Sequence, residues 1–411
     1  MDNVQQEADK LYKQHFGKMV ACLLYSSTDI DPQTAEDIVQ DAFSSALTNW
    51  RLRGIPFNTV GWLYKVCRNK ALNKIKKDKH QESLSDKTDP GSVEFRFSES
   101  VLDDHQLKLL FACAHPDLSP KSQVAITLKY VLNLKVEAIA KVFGMTIDGV
   151  DKLLFRARQK IKDEKIILEE PHQEALKPRL PIVHKIIYLT FNEGYKSSGG
   201  NEILREDLCE EALLLTKALM DSNLGNKETM ALYALMLFNS ARFKSRFADS
   251  GELLDLENQD RSRWNRDLIS LANHFFNRSQ GEPVSSYHLE AAIACIHCFS
   301  KSFELTDWKT IAALYARLLQ GNPNPFVELN YAIALYYSGD SETAFKILKE
   351  LERHSFLNQY YLFNMTLGKF NHLEGRDHLA KQFFEKAYDQ TEAGREKEFI
   401  QNMINKLDLT T

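Results

Sequence analysis

Apolar residues recur every three or four positions through much of this chain, and that spacing limits its possible folds more than any other feature. A helix with this spacing has one apolar stripe, whereas a half-buried strand alternates with a period of two. After Asp31, the stripe consists of Ala35, Ile38, Val39, Ala42, Phe43, Ala46, Leu47 and Trp50. Asp31 and Pro32 supply the N-cap and first-turn proline that often start a helix. We therefore predict an all-α fold.

Composition agrees with helices, because 411 residues contain only 17 Gly and 11 Pro, the residue types that most disfavour helix interiors. A chain of this length exceeds one hydrophobic core, so several domains are expected. Its longest apolar stretches, such as Met230–Phe238, are far shorter than the roughly 20 residues of a membrane-spanning helix. The polar start at Met1–Lys10 is unlike a signal peptide, and six cysteines are too few for a disulfide scaffold. These features favour a cytoplasmic protein.

Charge is uneven along the chain, although the net charge is only −4. The stretch Arg51–Lys79 contains nine basic residues and one acid, Asp78. Such a block is a candidate for contact with phosphates. A solvated helix face would have the same composition, and charge alone favours that simpler interpretation.

Breaks in the periodicity divide the chain into four predicted segments. These are a helical unit at 1–79, a Ser-, Asp- and Glu-rich linker at 80–105, a second helical unit at 106–168 and a helical extension at 175–411. The prolines Pro171, Pro178 and Pro181 mark the last of these boundaries.

The extension contains a weak internal repeat. Gly339-x4-Ala344 recurs as Gly375-x4-Ala380, a period of 36 residues (375 − 339), which is close to the roughly 34 residues of a tetratricopeptide repeat, or TPR. Two copies cannot form a stable array alone, so we expect them to stack on the preceding helices. We predict TPR-like hairpins at about 325–392.

A helix-turn-helix pattern runs from Leu134 to Val150. In this pattern Gly144 makes the turn and Thr146 caps the second helix. The polar residues predicted to face outward are Lys152, Arg156, Arg158 and Lys160. A recognition helix needs such a surface, because its outer residues reach base edges and phosphates in the major groove. An ordinary helical hairpin would give the same pattern.

A second candidate for nucleic-acid binding is the aromatic and basic segment Gly61–Lys77. Amides and cations beside exposed aromatic rings suit a single strand whose bases are unstacked and held. Trp62 and Tyr64 supply the rings, and the alternative for both is packing in the core.

Together these segments resemble group IV (ECF-type) RNA polymerase sigma factors of the sigma-70 family. Residues 10–77 resemble region 2, in which Ala35–Phe43 matches the helix that docks on the polymerase clamp. Gly61–Asn73 matches the segment that melts and reads the −10 element. Leu118–Arg158 resembles region 4, including the Arg-Ala-Arg ending of its recognition helix.

The extension is similar to that of an ECF subgroup with a long TPR-like C-terminal domain. The strings that carry this resemblance include Phe191–Tyr195 and Gln259–Trp264. The implied architecture is a region 2 helical bundle, a region 4 helix-turn-helix and a larger helical C-terminal domain.

The resemblance implies a sigma factor that binds core RNA polymerase and directs promoter recognition, melting and transcription initiation, with no catalysis of its own. The residues implied in polymerase binding are Asp37, Ile38, Asp41 and Phe43. Those implied at the −10 element are Phe57, Asn58, Trp62, Lys65, Arg68, Asn69 and Asn73. Those implied at the −35 element are Thr146, Lys152, Arg156 and Arg158.

The recognition helix departs from what phosphate contact favours. Asp148 and Asp151 stand near its exposed start, where acids repel phosphate. Gly149 costs about 1 kcal/mol of helix propensity. We therefore expect a weak −35 contact, or one that depends on polymerase holding the domain.

No metal or cofactor is predicted. Cys295-x2-Cys298 has the spacing of half a zinc site, but a structural site needs about four ligands, so buried core residues are the simpler interpretation. An enzyme would bring Glu193, Glu257 and Asp260 into one cleft. Nucleophile motifs and glycine-rich phosphate loops do not accompany them, and Arg–carboxylate pairs between helices explain the same residues.

The extension could take the place of a separate anti-sigma protein and regulate the DNA-reading units, because it is acidic and TPR-like grooves bind proteins or peptides. We accordingly expect a regulatory protein or peptide as a partner, besides core polymerase and promoter DNA. The alternative is a helix-turn-helix DNA-binding regulator or helical signalling scaffold that is not a sigma factor. Only a sigma factor is expected to bind core polymerase stably through residues 37–43.

Overall fold

The computed structural model confirms the all-α prediction, since the part of the chain that it describes contains helices and no β-strand. The described residues are 3–27, 30–82, 99–164, 166, 168, 171–195, 205–222, 224–249, 253–321, 323–391 and 394–410. Within them, no helix is both long enough and apolar enough to cross a membrane. The chain forms two compact units, Met1–Gly199 with Leu204–Leu219 and Gly200–Ile203 with Met220–Thr411.

The described residues of the first unit form eight helices and most of a ninth. They are α1 (Asn3–Ser26), α2 (Pro32–Arg53), α3 (Thr59–Glu82), α4 (Glu99–Cys113), α5 (Pro120–Ile126), α6 (Val136–Phe143), α7 (Ile147–Asp163), α8 (Gln173–Tyr195) and α9 (Glu206–Asp221). A π-helical turn, Thr127–Val131, follows α5.

Helix α2 begins where its sequence predicts. The Asp31 side chain accepts hydrogen bonds from the backbone N–H groups of Gln33 and Thr34, at 2.9 and 3.1 Å. At the other end Gly54 adopts a φ of 84° and its N–H bonds the Trp50 carbonyl, which stops the helix because L-residues with side chains disfavour this backbone region. The predicted apolar stripe is buried except for Leu47, which is half-buried.

In the second unit, the part of the chain that the structure describes forms ten helices. They are α10 (Lys227–Ser240), α11 (Arg266–Ser279), α12 (Ser286–Phe299), α13 (Trp308–Gly321), α14 (Pro325–Tyr337), α15 (Ser341–Leu351), α16 (Ser355–Asn358), α17 (Tyr361–Leu373), α18 (Asp377–Asp389) and α19 (Gly394–Thr410). Two 3-10 turns, Phe243–Arg246 and Arg261–Arg263, lie between α10 and α11.

The predicted repeats are a pair of helical hairpins, α14 with α15 and α17 with α18. Each hairpin turns at a glycine with positive φ, 98° at Gly339 and 72° at Gly375. Five residues later Ala344 and Ala380 are fully buried, because only a small side chain lets the paired helices approach closely. The two helical hairpins expected in this part of the chain are therefore present, and their assignment as TPR-like repeats stays a prediction.

The compact units group the chain differently from the predicted segments. Helix α8 and most of α9 belong to the first unit, although the sequence assigns them to the extension. Pro178 and Pro181 lie inside α8 and do not end a segment. Helices α3 and α4 extend into the two ends of the predicted linker, and its middle, 83–98, lies outside the described residues.

Candidate nucleic-acid and polymerase interface

The basic helix α3 presents one polar face to solvent. The exposed residues predicted for the −10 element are Lys65, Arg68, Asn69 and Asn73. They follow an i, i+3, i+4, i+8 spacing, which puts them along one side of a helix. The opposite side is buried through Leu63, Cys67, Ala71 and Ile75. Core packing therefore fixes the orientation of the polar face.

The loop before α3 holds an aromatic ring in full contact with water. Phe57 is fully exposed, since its solvent-accessible surface is 109% of the reference value for phenylalanine. No described side chain shields it. Its neighbour Asn58 has a structural duty, because its Oδ1 accepts a hydrogen bond from the Gly61 N–H at 2.7 Å and so caps α3. A Cβ on Gly61 would lie 2.8 Å from the Asn58 amide nitrogen, which explains the glycine. Any base contact by Asn58 would compete with this cap or use its amide nitrogen.

The two aromatic residues of α3 have different environments. Tyr64 is 5% exposed, and its hydroxyl lies 2.9 Å from Nδ1 of His15. Trp62 is half-buried and packs edge-on against Trp50, with ring centroids 5.5 Å apart. Core packing is therefore the correct interpretation for Tyr64, whereas Trp62 keeps part of its surface at the solvent boundary.

The predicted polymerase-binding helix α2 divides its four candidate residues between two faces. Asp37 and Asp41 are exposed. Ile38 and Phe43 are 7% and 5% exposed, and Phe43 packs edge-on against Tyr12 at 5.0 Å between ring centroids. Ile38 and Phe43 are therefore too buried to contact polymerase directly. These two residues orient α2, and the acids remain available at its surface.

The predicted helix-turn-helix is present as α6 and α7. Gly144 adopts a left-handed φ of 60° at the turn, and Oγ1 of Thr146 accepts a hydrogen bond from the Gly149 N–H at 3.1 Å. Thr146 is thus the N-cap of α7, as predicted. A Cβ on Gly149 would lie 3.1 Å from this same oxygen, so the glycine that weakens the helix also gives room to its cap.

The outer face of α7 keeps only part of its predicted positive charge. Lys152 and Arg156 are exposed. Nζ of Lys152 lies 2.6 Å from the carboxylate of Asp148, one turn earlier, in an exposed ion pair. The ion pair neutralises the Asp148 carboxylate, which would otherwise repel DNA phosphates. It also engages Lys152, one of the lysines predicted to contact DNA.

Arg158 faces α2 rather than open solvent. It is half-buried, and its Nη1 donates to Oε1 of Gln33. The hydroxyl of Tyr130 lies 3.5 Å from the same oxygen. A cleft of about 410 Å³ opens here between α2 and α7, and Phe155, 54% exposed, lines it. The prediction that Arg158 points outward is therefore wrong for this arrangement.

A buried ion pair fastens α2 to the turn after α5. Nζ of Lys129 lies 2.5 Å from Oε1 of Glu36, and their side chains are 20% and 4% exposed. Beside it, a Cβ on Gly17 would overlap the Val131 carbonyl oxygen, so α1 also touches this turn. Burial raises the pKa of the neighbouring Tyr12 despite its hydrogen bond with the Asn133 side chain. The two predicted helical units, 1–79 and 106–168, therefore pack against each other within the first unit.

The residues considered for metal binding or catalysis have structural partners. Cys298 is buried, with its sulfur 3.7 Å from the Phe238 carbonyl oxygen. Glu257 shares Lys369 with Asp255, whose carboxylate lies 3.0 Å from the ammonium. Burial alone would lower the pKa of Lys369, but the paired acids outweigh it and raise the pKa. In the described part of the chain, no three His, Cys, Asp or Glu side chains are grouped as metal ligands.

Comparison with known proteins identifies three family matches along the chain. Residues 12–81 match the sigma-70 region 2 family, and residues 108–161 match sigma-70 region 4. Residues 179–280 match a family of unknown function, DUF6596. The two sigma matches coincide with the segments that carry α3 and the α6–α7 helix-turn-helix.

Individual relatives agree with these families. An uncharacterised protein of Rhizobium meliloti is 31% identical over 381 residues, which is 91% of this chain and 90% of that protein. The ECF RNA polymerase sigma factor SigM of Bacillus subtilis is 25% identical over 38% of this chain and 92% of its own length. For the RNA polymerase sigma factor SigV of the same organism, the identity is 25% over 36% and 81%. No solved structure matches the chain.

Proposed function

The chain belongs to the ECF-type RNA polymerase sigma factors, in a form with a C-terminal extension, and from this premise we propose how its exposed residues divide the work. Sigma factors bind core RNA polymerase and promoter DNA. In this chain, α3 and the loop before it read the −10 element, the acids of α2 bind polymerase, and α7 contacts the −35 duplex.

The fully exposed ring of Phe57 is the observation that carries the −10 assignment. An apolar ring in water gains by stacking on an unpaired base, and such stacking contributes about 1–3 kcal/mol per base. Lys65 and Arg68, on the polar face of the adjacent helix, supply positive charge for the melted strand. Asn69 and Asn73 offer amide groups that can donate to and accept from base edges.

Polymerase binding is assigned to Asp37 and Asp41, which lie one helical turn apart on the exposed side of α2. Exposed acids of this kind can meet a complementary basic surface and accelerate association. Because Asp41 is 3.7 Å from Lys70 of α3, the polymerase-binding and −10 surfaces are adjacent.

Full −35 contact requires a change in the first unit. Arg156 is exposed and can reach phosphates as it stands, whereas Lys152 must exchange its ion pair with Asp148 and Arg158 is held by Gln33. We infer that α7 separates from α2 when polymerase and promoter are bound. The cleft beside Phe155 marks the surface along which this separation takes place.

The extension is proposed to regulate the DNA-reading unit. Its TPR-like hairpins and its excess of acidic residues suit a protein or peptide partner, or control over a basic module. Truncation after Leu219, where the first compact unit ends, tests this more cleanly than truncation before α8. If the truncated chain keeps its helical circular-dichroism signal and supports the same transcription as the full chain, the regulatory role is refuted.

In vitro transcription tests the sigma assignment itself. Core RNA polymerase and the full chain are given a library of promoter fragments, with Asp41→Arg as the test variant. Asp9→Arg, an exposed acid on α1, is the matched charge control. Initiation that depends on the chain and is lost only in Asp41→Arg supports the assignment of α2. Equal loss in both variants, or unchanged initiation in both, contradicts that assignment.

A further inference from the structure

The connection between α10 and α11 is long for a loop inside a compact unit. It covers residues 241–265, which we call the strap. The part of the strap that the structure describes, 241–249 and 253–265, contains two short 3-10 turns and otherwise no helix. Loops of more than about 12–15 residues with little secondary structure of their own are uncommon and are often functional.

The strap contacts helices that follow it by more than 100 positions. The carboxylate of Asp255 lies 3.0 Å from the ammonium of Lys369 on α17, and Glu257 pairs with the same ammonium. Nearer the start of the strap, the guanidinium carbon of Arg395 on α19 lies 5.5 Å from the centroid of the Phe247 ring. The strap therefore covers part of the surface that α17 and α19 present within the second unit.

An apolar residue between the two acids adds a second kind of contact. Leu256 packs against a buried cluster that is formed by residues of α12, α13, α14 and α15. The Asn258 N–H donates to Oδ1 of Asp255 at 3.1 Å, which holds these residues in a turn. The strap thus presents two carboxylates on either side of a leucine to a surface that combines a cation with apolar side chains.

Lys369 makes this surface selective for acids. Its side chain is 23% exposed, and it also hydrogen-bonds the side chain of Tyr337 on α14. The Tyr337 ring packs against Trp308, with centroids 5.0 Å apart, so the ammonium lies beside aromatic rings. An ammonium that is largely removed from water needs a counter-charge. Departure of the strap acids would therefore leave this charge uncompensated unless another acidic segment replaced them.

A cleft beside the strap gives a replacing segment access to the ion pair. Its volume is about 310 Å³, and its lining includes Glu257 and Arg261 of the strap. Lys301 and Phe303, from the connection between α12 and α13, also line it. Because Glu257 belongs both to this lining and to the pair with Lys369, a segment that enters the cleft reaches the edge of the pair.

We propose that the surface around Lys369 and Tyr337 is a docking site for an acidic segment of another protein, in which two carboxylates flank an apolar residue. The strap occupies this site through residues 255–257 until such a segment displaces it. The inference deepens the regulatory role proposed above for the extension and rests on that role for its biological purpose, since it names the chemistry of the partner.

Binding of a labelled peptide, followed by fluorescence anisotropy, tests the site. The peptide has the sequence of residues 253–260, and a control peptide has asparagine and glutamine in place of the two acids that flank its leucine. The full chain is compared with its variant Asp255→Asn/Glu257→Gln, the released variant, in which the strap loses both charges but keeps side chains of similar size. Lys369→Met, made in the released variant, removes the ammonium.

We expect the acidic peptide to bind the released variant at least about tenfold more tightly than the wild type. In the wild type the peptide must displace a tethered segment whose effective concentration is about millimolar. Lys369→Met should then weaken binding at least about tenfold, because both carboxylates lose their charged partner. Lys381→Met in the released variant is the matched control and should not change binding, because Lys381 on α18 pairs with Asp408 at 2.7 Å.

Equal binding of the two peptides, or equal binding before and after Lys369→Met, overturns the proposal. If the released variant does not fold, limited trypsin digestion of the wild type decides. Saturating acidic peptide should speed cleavage at Arg263, an exposed strap residue, and the control peptide should not; equal cleavage rates overturn the proposal. If the acidic peptide binds but leaves transcription unchanged, the docking site stands and the regulatory role is refuted.

Discussion

Removing the lysine from the buried pair between α2 and the turn after α5 should destabilise the first unit markedly. In Lys129→Met the Glu36 carboxylate, only 4% exposed, loses its counter-charge. A hydrogen bond from Nε2 of Gln40 at 3.2 Å remains, but it cannot neutralise the carboxylate. Breaking a buried pair in this way typically costs about 3–5 kcal/mol. Because Lys129 is itself 20% exposed, we expect the lower end, about 3 kcal/mol.

The double variant Glu36→Met/Lys129→Met separates the charge effect from loss of packing. Replacing both partners of a buried pair with apolar residues of similar size is often neutral or stabilising. We therefore expect the double variant to lie within about 1 kcal/mol of the wild type. The single variant alone should then carry the penalty of an uncompensated buried charge.

Urea denaturation of the full chain, followed by circular dichroism, provides the free energies of unfolding. Lys121→Met serves as the matched control, because Lys121 is an exposed lysine on the neighbouring helix α5. Its free energy of unfolding should change by no more than about 0.5 kcal/mol. A Lys129→Met value within this same range would refute the reasoning, since it would mean that Glu36 and Lys129 are not paired and buried in solution.

Three other changes address promoter reading, the contact between α2 and α7, and pH. Phe57→Ala should lower transcription initiation about tenfold or more through lost base stacking without changing the stability of the fold. Leu52→Ala is its control, because it removes a side chain that is 80% exposed. Equal initiation by the two variants would contradict the −10 assignment. Gln33→Ala removes one hydrogen-bond partner of Arg158 and leaves its contact with the Tyr130 hydroxyl. Binding of the isolated chain to −35 duplex, measured by fluorescence anisotropy, should therefore tighten by up to about tenfold. Unchanged or weaker binding would argue that Gln33 does not restrain α7. Burial raises the pKa of half-buried Glu211 from 4.5 to about 7, so the folded state binds this proton more tightly than the unfolded state. The stability of the fold should therefore fall as pH rises from about 4.5 to about 7. Thermal melts at both pH values should show a smaller loss of melting temperature in Glu211→Gln than in the wild type.

Local signals in the sequence were sufficient for most helices and their ends. Asp31, Gly54 and Thr146 stop or start helices through their own side chains or backbone freedom, and the structure uses Asp31 and Thr146 as the predicted caps. The paired glycines Gly339 and Gly375 likewise locate the hairpin turns. Each of these residues acts on neighbours within about four positions, so a pattern read along the chain can identify them.

Proline was a less reliable local signal. Pro178 and Pro181 were expected to mark a boundary, but α8 continues through both. A proline inside a helix removes one backbone hydrogen bond and disfavours the preceding turn. Burial of the apolar side of α8, through residues such as Val183 and Ile187, offsets that local penalty, and the sequence around the prolines does not reveal it.

Contacts between distant segments were the part of the site that the sequence could not predict. Arg158 and Gln33 are 125 positions apart, and a helical wheel of α7 cannot show that α2 lies against it. One signal for the neighbouring pair was nevertheless present, because Glu36 follows Ala35 inside the apolar stripe of α2 and is buried with it. A buried carboxylate needs a partner, so an acid at this position predicts a cation elsewhere in the fold, although not which one.

The location of that cation bears on how this sigma factor works. Lys129 and Arg158 both come from the segment that matches sigma-70 region 4, and both contact α2, which carries the proposed polymerase-binding acids. The proposed contacts of α2 with polymerase and of α7 with the −35 duplex would each use a surface close to the residues that join α2 to the region 4 segment. A partner that binds one of these surfaces more strongly when the segments are separated shifts the population toward the separated state. The size of this shift is set by the difference between the partner's affinities for the two states. The Glu36–Lys129 pair joins α2 to the turn after α5, so its strength would add to the free energy needed for the proposed separation of α7 from α2, which makes it the first quantity to measure.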